Sequence, residues 1–169
     1  MEICRHDDQL EISELDPFLA ELLRQIPASA SPEETPAAQN RLFSPPADSA
    51  RRELCAEWKV YVEPELRRLF RTATETVAID LEQLNGSEKP FANRKLRIPT
   101  GHADAWLNAL NQARLVIAAK CDFSESELSD HYRSPIGSRR DLSLFQINFY
   151  GFLQEFILRE IGWSAKSGD

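Results

Sequence analysis

The sequence predicts a mainly α-helical protein, a helical bundle around a central buried helix at about residues 101–121, with a small N-terminal β-hairpin. Three observations lead to this fold class. The run from His102 to Cys121 has apolar residues on two faces, which is typical of a helix in the middle of a bundle. Stretches before and after it repeat apolar residues at helical spacing. Two short strand-like pieces open the chain.

The central segment has one bulky face and one face of small residues. By helical phase, the bulky face includes Trp106, Leu110 and Ile117. The small face consists of Ala105, Ala109, Ala113 and Val116. Only a narrow polar arc remains, so we expect neighbouring helices to cover most of this segment.

The N-terminal hairpin is expected from MEICR and QLEIS, which flank a turn at residues 6–8. A lone hairpin is marginally stable in water, so these strands need support. KLRIP, at residues 95–99, alternates Leu96 and Ile98 with charged residues. We therefore expect it to add a third strand.

The first helix is expected to begin at Asp16, which can cap it, with Pro17 at the first helical position. Pro27 is expected to end it. Residues 27–50 are rich in Pro, Ala and Ser, which predicts a long connection inside a single domain of residues 1–169.

Leu42 and Phe43 interrupt this otherwise polar connection. Two adjacent apolar residues in such a segment usually hold it against the body of the domain. The alternative is a docking motif for a partner protein. Both interpretations remain open on the sequence alone.

The longest helical pattern runs from about residue 48 to residue 84, with a break or kink at Glu63-Pro64, where proline removes a backbone donor. Its apolar stripe contains one charged residue, Asp80. A second long pattern runs from Asp141 to Ile161, and its apolar face is expected to hold four phenylalanines: Phe145, Phe149, Phe152 and Phe156.

Gly151 lies in the middle of this last helix, where glycine costs about 1 kcal/mol relative to alanine. Such a cost indicates a packing reason. We expect Gly151 to face the small residues of the central helix, Ala105, Ala109 and Ala113.

Composition narrows the function classes. The formal charge of −7 opposes the field of a phosphate backbone, so we expect no DNA or RNA binding. Arg67, Arg68 and Arg71 form a local basic group, for which a solvated helix face is the favoured interpretation. Three dispersed cysteines fit reduced thiols rather than disulfides or a metal site. Without a leader pattern or a membrane-length apolar run, a cytoplasmic protein is expected.

Arg114 is the most unusual residue of the central helix, because by helical phase it falls on the apolar face. A buried guanidinium needs partners, and the favoured role is structural, with an amide, a carboxylate or a helix carbonyl of another helix. Asp80 is a doubtful partner, since antiparallel packing would place it nearer Trp106. Gln146 is an alternative.

A second group of polar residues follows the same helix: Asp104, Asn108 and Asn111 recur at i, i+4 and i+7. His102 opens the helix and is more typical of a loop anchor than of a catalytic base. A small-molecule site would combine Arg114, Asn108, Asn111, Asp104 and His102. We predict no catalytic residues, metal or cofactor, because no motif for nucleophilic, phosphate-binding or metal chemistry is present.

Four segments together carry a family resemblance: LDPFLAELL, RLFSPPAD, WKVYVEPELRRLF, and RIPTGHADAWLNALNQARLVIAAK with the closing YGFLQEFI. They resemble an uncharacterised bacterial family, a domain of unknown function common in actinobacteria and often encoded beside the adaptor of the Clp protease. The resemblance covers most of the chain. It implies a mainly helical fold and no established activity, cofactor or catalytic residue, and its gene neighbourhood is an association with proteolysis rather than chemistry.

Two function classes stay open. The preferred class is a noncatalytic interaction or regulatory module, linked to protein turnover, that contacts another protein through exposed apolar residues such as Leu42, Phe43 or Trp163. The alternative class is a small-molecule-binding protein or enzyme built around Arg114 and the Asn108/Asn111 seam. A walled pocket at Arg114 would favour the second class, and a filled core there would favour the first.

Overall fold

The structure is a computed structural model that describes residues 1–32, 35–46, 51–85, 95–129 and 136–164. The side chains of Ser129, Trp163 and Ser164 are outside this description. The interaction role expected for Trp163 therefore falls outside the described residues.

The N-terminus forms an antiparallel sheet with the strand order β1-β2-β3. Its strands are β1 (Glu2–His6), β2 (Gln9–Ser13) and β3 (Leu96–Pro99). In the β2/β3 register Leu10 lies opposite Ile98 and Ile12 opposite Leu96, and all four side chains are buried. Alternation thus gives the sheet one core face, as expected for a hairpin that needs a supporting layer. The predicted hairpin and third strand are confirmed.

The opposite face of the sheet carries an ion-pair group around Glu11 of β2. Its carboxylate accepts from Lys95 Nζ at 2.6 Å and from Arg97 Nε at 3.2 Å. These hydrogen bonds, first from Lys95 and then from Arg97, lower the pKa of Glu11. They connect β2 to β3 on the side of the sheet away from the core.

Helices make up most of the remaining described chain, which confirms a mainly α fold. They are α1 (Pro17–Arg24), α2 (Ile26–Ser29), α3 (Pro36–Phe43), α4 (Arg52–Glu57), α5 (Glu63–Leu81), α6 (Ala103–Lys120), α7 (Glu125–Ser129) and α8 (Arg139–Ser164). A π-helical turn, Trp58–Val62, joins α4 to α5, and 3-10 turns at Glu82–Leu84 and Thr100–His102 follow α5 and precede α6.

Asp16 caps α1 as expected, because its Oδ1 accepts from the backbone N–H of Leu19 at 2.8 Å. Pro27 does not end the helical path. It lies in the first turn of α2, where the donor that proline lacks would have no helical partner. Residues 27–50 are therefore not a plain connection, since the described part contains the rest of α2 and all of α3.

Leu42 and Phe43 are not exposed, so the expectation that they contact a partner from the surface is wrong. They are 9% and 7% exposed and share a small core with Ala38 and Val116. Burying two large apolar side chains favours docking of α3 onto α6 by several kcal/mol. The structure thus agrees with the other interpretation, in which this pair holds the segment against the domain.

The central helix is confirmed in α6, which packs against α2, α3, α5 and α8. Trp106, Ala109, Leu110 and Ala113 are fully buried in it. Because neighbours lie on several sides, apolar residues are needed around most of the helix, as the two faces of the sequence indicated.

The break in the long helical pattern falls earlier than expected. The π-helical turn Trp58–Val62 precedes α5, and Pro64 lies in the first turn of α5 itself. Proline is tolerated there because the first turn has no intrahelical partner for its missing donor. The irregular backbone is therefore the π turn, not Glu63-Pro64.

The core face of α8 is also shifted from its expected position. Phe149 is buried, but Phe152 is 50% exposed, and the large buried residues include Tyr150 and Leu153. Tyr150 Oη donates to the carbonyl oxygen of Leu22 at 2.7 Å, which joins α8 to α1. Burial raises the pKa of Tyr150 to about 12.

Ser124 and Glu127 form a capping box at the start of α7. The backbone N–H of Ser124 donates to Glu127 Oε2 at 2.9 Å, and the N–H of Glu127 donates to Ser124 Oγ at 3.4 Å. Arg140 of α8 donates to Glu127 Oε1 at 2.7 Å. The Arg140 hydrogen bond, followed by the Ser124 bonds, lowers the pKa of Glu127 to about 2.

We predict that Glu127 contributes stability above its unfolded pKa near 4.5 and that this contribution is lost as the pH falls toward about 2. The native state holds the carboxylate charged, so acid must protonate it before the cap and the Arg140 contact are released. Glu127→Gln should therefore unfold at lower urea than the parent at pH 7, with the gap narrowing at pH 3. Glu155→Gln, an exposed change on α8, is the control. An equal gap at both pH values would contradict this prediction.

Candidate functional site

Arg114 of α6 is half-buried against α8 and has an amide partner. Its Nη1 donates to Gln154 Oε1 at 2.6 Å, and Gln154 Nε2 donates to the Leu107 carbonyl at 3.0 Å. Among the described residues its Nε has no partner and no carboxylate lies within ion-pair distance. The partner is thus an amide oxygen of another helix, and it is Gln154 rather than Gln146.

Gly151 does not face the alanines, and that expectation is wrong. A Cβ built at Gly151 would lie 3.3 Å from Cζ of Arg114, and its three nearest neighbours are all guanidinium atoms. Glycine therefore leaves room for a planar cation, rather than for a helix surface, against this backbone. The space at Arg114 is filled by α8.

The polar seam on α6 does not converge on Arg114. Asp104 and Asn111 are exposed and Asn108 is half-buried. Within the described chain, none of their side chains hydrogen-bonds to another group. The residues combined in the small-molecule alternative therefore separate into an exposed seam, a packed arginine, and His102 in a different network.

His102 belongs to a buried network around Asp80. The Asp80 side chain, 7% exposed, accepts from Trp106 Nε1 at 2.9 Å and lies 3.0 Å from His102 Nδ1. Asp80 is thus nearer Trp106 than Arg114, as antiparallel packing indicated, and it connects α5 to the start of α6.

A carboxylate that orients a histidine also occurs in hydrolase sites. In this structure the second partner of Asp80 is an indole, and no described serine, threonine or cysteine hydrogen-bonds to His102. The geometry supports a structural role for this network.

A group of exposed apolar side chains lies along the chain from α4 into the first half of α5. We call it the 54–69 face, and it consists of Leu54, Val60, Tyr61, Val62 and Leu69. These residues are between 40% and 72% exposed.

The part of the chain that carries most of this face has few contacts with the body of the protein. Neither α4 nor the π turn has a buried residue. Trp58 Nε1 donates to the Phe43 carbonyl at 3.4 Å, and this long hydrogen bond is a contact from the π turn to α3. Short helices gain most of their stability from tertiary packing. The 54–69 face is therefore apolar surface on a weakly supported helix.

Two kinds of feature are absent from the described residues. No helix among them has the length and hydropathy needed to cross a membrane. In the same part of the chain, no three His, Cys, Asp or Glu side chains are grouped so as to hold a metal ion.

The fold and these contacts define a small helical domain with an exposed apolar face. A family model described as a domain of unknown function, DUF2017, matches residues 5–161, so the chain belongs to the DUF2017 family. No curated protein and no solved structure shows a significant match to the chain.

We predict that Asp80→Ala destabilises the protein by about 2 to 4 kcal/mol, because it leaves the buried Trp106 N–H without an acceptor. Chemical unfolding at neutral pH measures this loss. The control, Asp104→Ala, changes an exposed aspartate in the first turn of α6, the helix that carries Trp106. It should cost about 0.5 kcal/mol. Similar losses of unfolding free energy in both variants would contradict the prediction, because the Asp80 network would then contribute no more than a surface carboxylate.

A second prediction concerns the contact of Arg114 with Gly151. Arg114→Ala should cost about 1 to 3 kcal/mol, less than a broken buried ion pair, because its partner is a neutral amide. In that variant Gly151→Ala should regain about 1 kcal/mol of helix propensity. In the parent, the guanidinium must move to admit the methyl group, so the same change should gain less or destabilise. Urea unfolding of the four proteins measures the coupling, and zero coupling would refute the contact.

Proposed function

We propose that this DUF2017 protein is a noncatalytic interaction module that places its 54–69 face in an apolar groove of a partner protein. The observation that carries the proposal is the exposure of five large apolar side chains on one short stretch. Groups of exposed apolar side chains on a folded surface mark interaction sites. The chain supplies the helix and the partner supplies the groove.

The backbone of this stretch supports the same role. The 54–69 face includes a π-helical turn, a distortion that is frequent at functional sites. Fully burying one large apolar side chain contributes about 1.5 to 3 kcal/mol, so five half-exposed ones offer several kcal/mol toward association. A partner would also supply the packing that α4 lacks within the chain.

The charges beside the 54–69 face are mixed in sign, with Arg52, Glu53, Glu57 and Lys59 in α4 and the π turn. Shape and apolar contact, rather than a field of one sign, are therefore expected to select the partner. The net charge of −7 opposes a nucleic-acid partner. A cytoplasmic, bacterial role in protein turnover is part of this proposal through the sequence resemblance alone.

The rival function, a ligand site around Arg114 and the Asn108/Asn111 seam, has less support. Gly151 and Gln154 pack against the guanidinium, and the seam residues do not approach it through hydrogen bonds in the described chain. An interaction face explains the exposed surface, whereas the Arg114 contacts are explained by packing.

The test places a photo-crosslinking amino acid at Tyr61 in the cells of the source organism. We expect one dominant adduct with another protein after irradiation. The matched control carries the crosslinker at Ile79, which is 64% exposed on α5 but outside the face. The adduct formed from position 61 should be lost when Val60 and Leu69 are both changed to serine.

Two results would contradict the proposal. One is a set of adducts that is the same from positions 61 and 79. The other is an adduct with a second copy of this chain, together with a dimer in light scattering that the serine changes abolish. Thermal unfolding of each variant must match the parent, since exposed changes of this kind should alter stability by about 0.5 kcal/mol or less.

A further inference from the structure

A pocket of about 720 Å³ lies between α5 on one side and α2, α3 and α6 on the other. Phe43, Phe70 and Gln112 are among its lining residues, together with arginines of α5. Its volume is within the usual range for small-molecule sites. None of the five exposed side chains of the 54–69 face lines it, so the inference below is independent of the proposed interaction.

Gln112 is the unusual residue of this pocket. It is 3% exposed, and its Nε2 is buried without a hydrogen-bond partner among the described residues. A buried amide without a hydrogen-bond partner destabilises the folded protein. If only core stability mattered, an apolar side chain would be favoured at position 112. The amide therefore indicates a ligand that completes its hydrogen bonds.

The side chain of Gln112 offers both a donor and an acceptor. Neither of its polar atoms is bonded to a described residue, so a half-turn of the terminal amide can present either one. A secondary amide can pair with both atoms, since its C=O accepts a hydrogen bond and its N–H donates one. The chemistry at Gln112 therefore fits an acylated amine.

The walls of the pocket indicate that the ligand also carries an apolar group and an anionic group. Phe70 is half-buried and lines the pocket, so its ring offers apolar surface for a side chain of the ligand. The Phe43 ring is buried beside it, and Arg67 Cζ lies 3.9 Å from its centroid. Arg67 and Arg68 have glutamate oxygens 2.8 Å away. Arg71 is different: its nearest carboxylate, on Glu75, is 3.8 Å away, so its guanidinium can engage an anion.

We propose that this pocket binds an N-acylated apolar amino acid. The acyl amide pairs with Gln112, the apolar side chain packs on Phe70, and the free carboxylate reaches Arg71. Each part of the ligand answers one observed feature: an unpaired amide, an aromatic wall and a loosely paired cation.

The test titrates the ¹⁵N-labelled protein with three related probes. N-acetyl-phenylalanine carries all three features, N-acetyl-phenylalaninamide lacks the carboxylate, and 3-phenylpropanoate lacks the amide. We expect the first to perturb the Gln112 side-chain amide with a low-millimolar or tighter Kd. Each of the other two should bind about tenfold more weakly, the effect of losing one good polar contact.

Substitutions in the pocket distinguish an effect on ligand binding from an effect on folding. Gln112→Leu removes the amide at similar volume, so it should weaken N-acetyl-phenylalanine binding about tenfold while the protein unfolds at the same or a higher temperature. Arg71→Gln should weaken binding of the acid and leave the neutral amide probe unchanged. Arg139→Gln removes an exposed arginine outside the pocket and should change neither.

Several outcomes would overturn the proposal. They are no perturbation at high millimolar N-acetyl-phenylalanine, equal affinity for the three probes, and unchanged binding in Gln112→Leu. A Gln112→Leu protein that melts well below the parent would also overturn it, because the amide would then be structural.

Discussion

The burial of α6 on several sides is the constraint on which the rest of the structure depends. Four helices pack against it, and the sheet, α1 and α8 share its core. A helix in that position loses solvent around most of its circumference, so each polar side chain on it needs a particular partner. Much of the remaining architecture supplies these partners.

Two side chains of α6 meet this requirement. Trp106 donates to a carboxylate from α5, which fixes the start of α6 against that helix. Arg114 donates to Gln154, and α8 carries a glycine where the guanidinium lies. An apolar interface tolerates small rotations of a helix, whereas these contacts favour one rotation and one register. Gln112 is the exception, because its amide is left unpaired beside a pocket.

Local patterns allowed much of the fold to be predicted. The Asp16 cap depends on residues three apart in the chain, and the hairpin depends on alternation within a few residues. Helical phase also placed Arg114 among apolar neighbours. These features need no knowledge of the distant chain.

The features that could not be predicted depend on distant residues. Gly151 has its reason in a side chain of another helix, and phase alone could not choose between alanines and Arg114. The core face of α8 is set partly by a Tyr150 bond to the carbonyl of Leu22. The π turn has no pattern of its own in the sequence, so the break was expected at Glu63-Pro64 and not at Trp58–Val62.

The asymmetry of α5 connects the two candidate surfaces. Its buried residues, Ala73, Val77, Asp80 and Leu81, all lie in its C-terminal half, where Asp80 ties it to α6. The N-terminal half has no buried residue, and it lines the pocket on one side and carries Leu69 on another. A helix held firmly at one end and loosely at the other leaves both a gap beneath it and apolar surface above it. The half of α5 that contributes least to the core is therefore the half available for binding.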